Sequence, residues 1–122
     1  MQSKFLESEA GLGVEFEGLD LGSPFNQEEI QVIRNLWLQR GIAVFPNQKL
    51  THENLENFTL LFGNFGDDPY LSSLKDRPNI VEVKRSAKEK ATPFGGSWHS
   101  DWSFQVTPPS ATFLHSTIIP PQ

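Results

Sequence analysis

The 122-residue chain contains no cysteine. Disulfide bonds, thiolate metal ligands and cysteine nucleophiles are therefore excluded from it, and any metal must be held by histidine and carboxylate groups. Basic residues are also scarce, with 10 Lys and Arg against 15 Asp and Glu, for a net charge of −5. Because nucleic-acid binding requires clustered positive charge, we expect no nucleic-acid partner.

Long apolar runs are missing as well. No stretch approaches the ~20 residues that cross a bilayer, and residues 1–7 lack the apolar segment of a secretory signal. The sequence therefore predicts no membrane partner and a cytoplasmic location. Ten Phe and three Trp, in a chain that is 37% hydrophobic, supply enough apolar mass for one domain core and leave a homo-oligomer open.

The first half of the chain predicts two capped helices and two strands. Residues 13–21 alternate as a short strand does, and a turn follows at residues 22–24. A helix is predicted over 27–40, because Asn26 and Glu29 resemble a capping box and Gly41 suits the C-terminal cap. The continuous apolar run 42–45 predicts a buried strand.

Thr51 then caps a second predicted helix, with Leu55, Phe58 and Phe62 on one stripe. Alternation at 79–84 and again at 111–117 predicts two further strands. Early helices followed by strands alone favour an α+β or mainly β fold. The polar, glycine-rich segment 85–97 is either a surface connection or a lid beside a reaction site.

The informative pair is His99 and Asp101. In an extended segment, residues i and i+2 project from the same face, so the two side chains can converge on one cation. With one distant histidine they would form a 2-His-1-carboxylate triad, which leaves three positions open on iron(II). A solvated pair or a local His–Asp hydrogen bond is the alternative. Trp98, Trp102 and Phe104 could form an apolar shell that limits access of water.

Other candidates for the metal site are weaker. His52 follows a helix cap and is expected to be solvated, and His115 is expected to be an ordinary sheet histidine. Neither is promoted to a metal ligand. The arginines are expected to be solvated surface residues; they are Arg34, Arg40, Arg77 and Arg85.

Residues 98–121, WHSDWSFQVTPPSATFLHSTIIPP, resemble the metal-binding segment of the taurine dioxygenase (TauD/TfdA) family. That segment runs W-H-x-D-x-x-F, then a Pro-Pro pair, a strand of small residues and a final Pro. Earlier segments fit in the same order. G-x-E-x-x-G-x-D-L at 13–21 resembles the opening strand of the family, the helix and strand up to Pro46 resemble its first helix and following strand, and residues 61–66 resemble its F-G turn.

The resemblance implies a double-stranded β-helix (jelly roll, clavaminate synthase-like) with N-terminal helices. It also implies an iron(II)-dependent dioxygenase that uses O2 and 2-oxoglutarate to hydroxylate a small organic substrate. His99 and Asp101 match its first two iron ligands. The third histidine and the residues that contact 2-oxoglutarate would lie beyond residue 122. Residues 1–122 are thus expected to be the N-terminal portion of one dioxygenase domain, inactive alone through truncation.

The substrate is expected not to be taurine. Taurine-acting members carry a histidine shortly after the F-G turn, whereas this chain has Asp67-Asp68-Pro69, which would repel a sulfonate. Asp68, Trp98 and Phe104 are the candidate substrate-pocket residues, although for the acidic pair a solvated turn is the favoured interpretation. Two alternatives remain for the whole chain: a non-catalytic jelly-roll relic or binding module, and a cupin-type enzyme with another co-substrate.

Overall fold

A computed structural model describes residues 1–68, 70–93 and 95–121. The chain divides into two compact units, Met1–Asn64 and Phe65–Gln122. Pro69 of the predicted acidic turn lies outside the described residues. In the described part, no helix has both the length and the apolar character to cross a bilayer.

The first unit contains a three-stranded sheet in the order β1–β2–β3. Strand β1 (Gln2–Phe5) pairs antiparallel with β2 (Val14–Glu17), which pairs parallel with β3 (Ala43–Val44). The predicted strand within 13–21 is confirmed as β2. Strand β1 was not predicted, because its sequence QSKF has no apolar alternation and all four residues are exposed.

Helix α1 (Gln27–Arg40) connects β2 to β3 and has the predicted bounds. The Asn26 side chain accepts from the Glu29 backbone, and the Glu29 side chain accepts from the Asn26 backbone, each at 2.9 Å. Both bonds satisfy N–H groups that a helix start leaves unpaired. Gly41 ends the helix in the left-handed region, at φ +74, where glycine has no steric cost. The predicted helix and both of its caps are confirmed.

Helix α2 (His52–Leu60) begins at the predicted cap Thr51, which forms a capping box with Asn54. Phe58 is its buried residue. Phe62 lies beyond the end of the helix and meets Phe58 edge-on, with ring centroids 5.2 Å apart. The second predicted helix is therefore confirmed, and its aromatic stripe continues into the following turn.

The core of this unit buries Leu21 and Phe58 together with a cluster formed by Val14 and Phe16 from β2 and Ile33 from α1. Half-buried Ala43 and Phe45 pack against it, whereas Ile42 and Val44 are exposed. The prediction that 42–45 is a buried strand is wrong in this respect, because the segment alternates between a core face and a solvent face. A continuous apolar run cannot by itself distinguish these two cases.

The predicted solvation of Arg40 is also wrong. Its guanidinium donates to the carbonyl oxygens of Gly13 at 3.1 Å and Leu6 at 3.2 Å, and lies 4.4 Å from the ring centroid of Phe5. Arg40 is half-buried and ties the segment between β1 and β2 to the end of α1. Arg34 is half-buried too, with a long 3.5 Å contact to the carbonyl of Phe62.

The second unit contains turns and one isolated bridge, Leu74↔Arg77, but no helix or strand among its described residues. The strand predicted at 79–84 is therefore not found. Ile80 donates to the carbonyl of Arg77 and accepts from the amide of Leu74, so local turns use the groups that a sheet would pair.

The strand predicted at 111–117 is not found either, although half-buried and exposed residues still alternate from Ala111 to Ser116. The alternation of an extended segment is present without a neighbouring strand in the described range. The α+β class is confirmed by the sheet and two helices. The expected predominance of β-structure is not found in these residues.

Candidate metal centre

His99 and Asp101 lie on irregular backbone rather than in the extended segment that their spacing suggested. Residues 98–100 have no regular secondary structure, and a turn follows at 103–104. Between Asp101 and that turn, Trp102 has a positive φ of 53°, which is uncommon for a bulky side chain. The chain therefore bends sharply directly after the carboxylate.

The two side chains nevertheless converge. His99 Nε2 lies 3.2 Å from Asp101 Oδ1, with the side chains 50% and 51% exposed. Two ligand atoms each ~2.1 Å from one ion, at a right angle, would be ~3.0 Å apart. The observed separation is close to that value, and it also fits a direct hydrogen bond.

The hydrogen bond of the other ring nitrogen, Nδ1, limits what can lie between His99 Nε2 and Asp101 Oδ1. His99 Nδ1 lies 2.6 Å from the carbonyl oxygen of Ser97. A carbonyl can only accept, so Nδ1 carries the proton of that bond. In a neutral ring, Nε2 then presents a lone pair directly to the carboxylate. Two such groups repel unless a cation, either a proton or a metal ion, lies between them.

Asp101 is oriented by a second contact. The hydroxyl of Thr112 donates to Asp101 Oδ2 at 3.0 Å, which leaves Oδ1 facing His99. In each candidate ligand, one polar atom is hydrogen-bonded to a neighbour (His99 Nδ1 and Asp101 Oδ2), and the other (Nε2 and Oδ1) faces the other candidate ligand. Hydrogen bonds that fix the tautomer and orientation of metal ligands in this way are typical of metal sites.

The backbone beside His99 is close and depends on glycine. Gly95 has a φ of +67°, and a Cβ added there would lie 3.3 Å from His99 Cε1 and 3.9 Å from Nε2. A side chain at this position would be in tight contact with the imidazole at Cε1. Segment 85–97 therefore ends in direct contact with the candidate centre, through Gly95 and Ser97, although its described residues are exposed.

A neutral imidazole nitrogen and a carboxylate oxygen are a donor set that suits iron(II). A facial triad needs one more histidine, and no group of three His, Cys, Asp or Glu able to hold a metal occurs among the described residues. His52 is exposed at the start of α2, and His115 is half-buried in 111–117. The residues present therefore fit two positions of such a site.

The aromatic residues around the pair differ in exposure. Trp98 is fully exposed, at 105%, and Phe104 is 61% exposed. Within the described part of the chain, the expected apolar shell of Trp98, Trp102 and Phe104 therefore does not shield His99 and Asp101 from water. Phe104 instead contacts Trp102 and Tyr70 edge-on, with centroids 5.8 and 5.5 Å away. Tyr70, Trp102 and Phe104 form an aromatic cluster directly after Asp101.

Asp68 lies beside that cluster in a capping role. Its Oδ1 accepts from the backbone amides of Tyr70 at 2.9 Å and Leu71 at 2.8 Å. Gln105 Nε2 donates to the carbonyl of Asp67 at 2.7 Å, which holds the acidic turn against the segment after Phe104. The assignment of Asp68, Trp98 and Phe104 to a substrate pocket stays a prediction.

The residues that sequence reasoning missed act through His99 and Asp101. Ser97 contacts His99 through its backbone carbonyl, so the identity of its side chain does not indicate this role. Thr112 is eleven residues from its partner, and nothing in the spacing indicates that contact. Gly95 could have been found, because glycines a few residues before a candidate histidine indicate close backbone approach.

Comparison with known proteins identifies the family of the chain. The family described as "Taurine catabolism dioxygenase TauD, TfdA family" matches residues 4–122, nearly the whole chain. The chain belongs to the TauD/TfdA family. Its predicted family resemblance is confirmed.

Two curated proteins are similar in sequence to this TauD/TfdA chain. An alpha-ketoglutarate-dependent sulfonate dioxygenase of Saccharomyces cerevisiae is 29% identical over 117 residues, covering 84% of this chain and 27% of that protein. An alkylsulfatase of Acinetobacter baylyi is 27% identical over 110 residues, covering 89% of this chain and 33% of that protein. The chain therefore spans about a quarter to a third of the length of these relatives.

Among solved structures, the crystal structure of AAD-2 in complex with Mn(II) and N-oxalylglycine matches 52% of this TauD/TfdA chain and 25% of its own. The sequence identity is 25% and the TM-score is 0.47.

Proposed function

We propose that this chain is part of an Fe(II)- and 2-oxoglutarate-dependent dioxygenase in which His99 and Asp101 are two of the three metal ligands. The observation that carries the proposal is the 3.2 Å approach of His99 Nε2 to Asp101 Oδ1, with Nδ1 committed to Ser97. Membership of the TauD/TfdA family across residues 4–122 supports the choice of metal and co-substrate.

Each residue has a distinct task in this proposal. When bound, Fe(II) supplies activation of O2 at the expense of 2-oxoglutarate, so that an organic substrate is hydroxylated. His99 provides a neutral nitrogen whose tautomer is fixed by Ser97, and Asp101 provides one negative charge through Oδ1. The third histidine and the groups that bind 2-oxoglutarate come from outside residues 1–122, so these residues alone do not turn over.

The same proposal includes the jelly roll. Segments 79–84 and 111–117 become strands of a double-stranded β-helix when partner strands from outside this chain pair with them. The support for segment 111–117 is the alternating burial from Ala111 to Ser116, with Leu114 largely exposed, and in segment 79–84 the apolar Val83 is exposed. A cytoplasmic location and the absence of nucleic-acid or membrane partners remain part of the proposal on composition.

The substrate in this proposal is a small organic molecule other than taurine. Asp67 and Asp68 are adjacent acidic residues; Asp68 accepts from the backbone amide of Tyr70, a member of the aromatic cluster, and Asp67 accepts from Gln105. Negative charge there disfavours a sulfonate, and a cationic or hydroxylated substrate suits it better. The two relatives, named as a sulfonate dioxygenase and an alkylsulfatase, define the competing expectation for the test.

The metal part of the proposal is tested by titrating the complete protein with Mn(II) in a calorimeter. Replacement His99→Ala should weaken binding more than about 100-fold, because loss of a ligand exceeds the usual effect of its neighbours. His52→Ala is the matched control, since His52 is exposed in the first unit and should leave affinity unchanged. Equal affinity in His99→Ala and wild type would refute the assignment.

The catalytic part is tested by succinate release from 2-oxoglutarate in the presence of Fe(II) and O2. A panel should include taurine, alkyl sulfates, aminoalcohols and apolar carboxylates. Substrate-dependent succinate with a compound other than taurine supports the proposal. Taurine-dependent turnover would overturn the substrate part alone. Metal binding without turnover on any substrate would favour the non-catalytic relic.

A further inference from the structure

Thr112 contacts one ligand candidate without itself being able to serve as a strong metal ligand. Its hydroxyl donates to Asp101 Oδ2 at 3.0 Å across eleven residues of sequence. The other carboxylate oxygen, Oδ1, is the one that faces His99 Nε2. The two oxygens of Asp101 therefore have different partners, and a half-turn of the carboxylate would exchange them.

The physical effect of such a contact is on orientation. The terminal torsion of an aspartate is broad and nearly two-fold, so a half-exposed carboxylate samples many rotations. Asp101 is 51% exposed and gains little restraint from packing. A hydroxyl bonded to one oxygen selects one rotation and lowers the entropy that metal binding would otherwise have to remove.

Thr112 is suited to this task by its own stiffness. A β-branched side chain has few accessible χ1 rotamers, so its hydroxyl direction is well defined. The neighbouring Ala111 and Phe113 are half-buried, while Thr112 is on the exposed side of the alternating segment. Burial of its neighbours holds the backbone, and the hydroxyl is left free to meet Asp101.

We propose that Thr112 is a positioning residue that holds Asp101 to present Oδ1 alone to the metal, and that it thereby sets the metal affinity of the site. This inference rests on the proposed function of His99 and Asp101. A purely structural role is the competing explanation, in which the bond ties segment 111–117 to the loop of Asp101. That role would change stability without changing the affinity of the folded protein for metal.

The experiment compares four variants of the complete protein by Mn(II) titration calorimetry, with thermal unfolding of the metal-free protein measured in parallel. Thr112→Val removes the hydroxyl and keeps the shape, Thr112→Ala removes it with less volume, and Thr112→Ser keeps it. Thr107→Val is the control, because Thr107 is an exposed threonine of the same unit. Mn(II) itself is the probe.

We expect Thr112→Val and Thr112→Ala to weaken Mn(II) binding by about 10- to 100-fold, the usual effect of removing a bond to a metal ligand. Thr107→Val should stay close to wild type. Thr112→Ser should lose less affinity than the two hydroxyl-free variants, because it keeps the hydroxyl and lacks only the β-branch. Unchanged affinity in both hydroxyl-free variants, or an equal loss in Thr112→Ser, would overturn the inference while leaving the proposed function intact. If wild type does not bind Mn(II), the proposed function fails first, and this inference with it.

Discussion

The imidazole of His99 donates its Nδ1 proton to the carbonyl oxygen of Ser97, two residues earlier, at 2.6 Å. The bond determines which nitrogen is available, because the neutral ring must then carry its lone pair on Nε2. That nitrogen faces Asp101 at 3.2 Å. A backbone carbonyl thus fixes the tautomer in which Nε2 can bind a cation. Because the side chain of Ser97 takes no part in this bond, substitutions of that side chain should leave the tautomer unchanged.

Substitution of Gly95 tests how closely the backbone confines the imidazole of His99. Gly95→Ala should lower Mn(II) affinity about tenfold or more, because its Cβ would lie 3.3 Å from His99 Cε1 and displace the imidazole. The left-handed φ of +67° adds a strain of about 1–2 kcal/mol to the folded state. Calorimetric titration and thermal unfolding separate the two effects.

Gly18→Ala is the matched control for strain alone. Gly18 has a φ of +72°, and a Cβ there would meet nothing within 4 Å. We expect a similar loss of stability in Gly18→Ala, with Mn(II) affinity unchanged. If Gly95→Ala binds as tightly as Gly18→Ala, the ring of His99 is not confined by Gly95.

Arg40 should contribute to stability through the backbone groups that it holds. Arg40→Ala removes donors to Leu6 and Gly13 and the contact with Phe5, and should lower the free energy of unfolding by about 1–3 kcal/mol. Arg40→Lys should recover only part of this loss, because an ammonium group cannot reproduce the planar fork of donors. Urea unfolding measures both variants.

Arg85→Ala is the control for loss of an arginine. Arg85 is exposed and donates to the carbonyl of Glu89 at 3.1 Å within its own loop. Its removal should change the free energy of unfolding by less than about 0.5 kcal/mol. Equal effects of Arg40→Ala and Arg85→Ala would contradict the role assigned to Arg40.

The exposed pair Lys4 and Glu17 gives a dependence on pH. The hydrogen bond from Lys4, followed by its charge, lowers the pKa of Glu17 below its ordinary range. The pKa of Lys4 is raised, first by its hydrogen bonds to Glu15 and Glu17. The Glu17 contribution to stability is therefore present above its ordinary pKa and is lost as pH falls through the lowered value. The Lys4 contribution is present below its ordinary pKa and is lost as pH rises through the raised one.

Carboxyl NMR titration of wild type and Lys4→Gln tests this pair. In Lys4→Gln the pKa of Glu17 should return toward its ordinary value, and in wild type the shift should shrink at 0.5 M salt, since each side chain is about half exposed to solvent. An unchanged Glu17 titration in Lys4→Gln would exclude the pair.

The sequence by itself determined the secondary-structure elements that depend on neighbouring residues, such as the helices with their caps. Asn26 with Glu29 starts α1, Gly41 ends it, and Thr51 starts α2, because caps satisfy backbone groups within a few residues. Family membership was readable from ordered motifs along the chain, and it is confirmed over residues 4–122. The sequence also identified His99 and Asp101 as the pair to examine.

Tertiary structure decided everything that depends on a distant partner. Strand β1 forms because its backbone pairs with that of β2 through antiparallel hydrogen bonds, although its sequence QSKF has no strand pattern of its own. Segments 79–84 and 111–117 have the pattern but no neighbouring strand among the described residues, and they stay irregular. Likewise, Thr112 reaches Asp101 only through the path of the chain. Periodicity reports which face a residue could bury, whereas hydrogen-bond partners far along the chain are set by the fold.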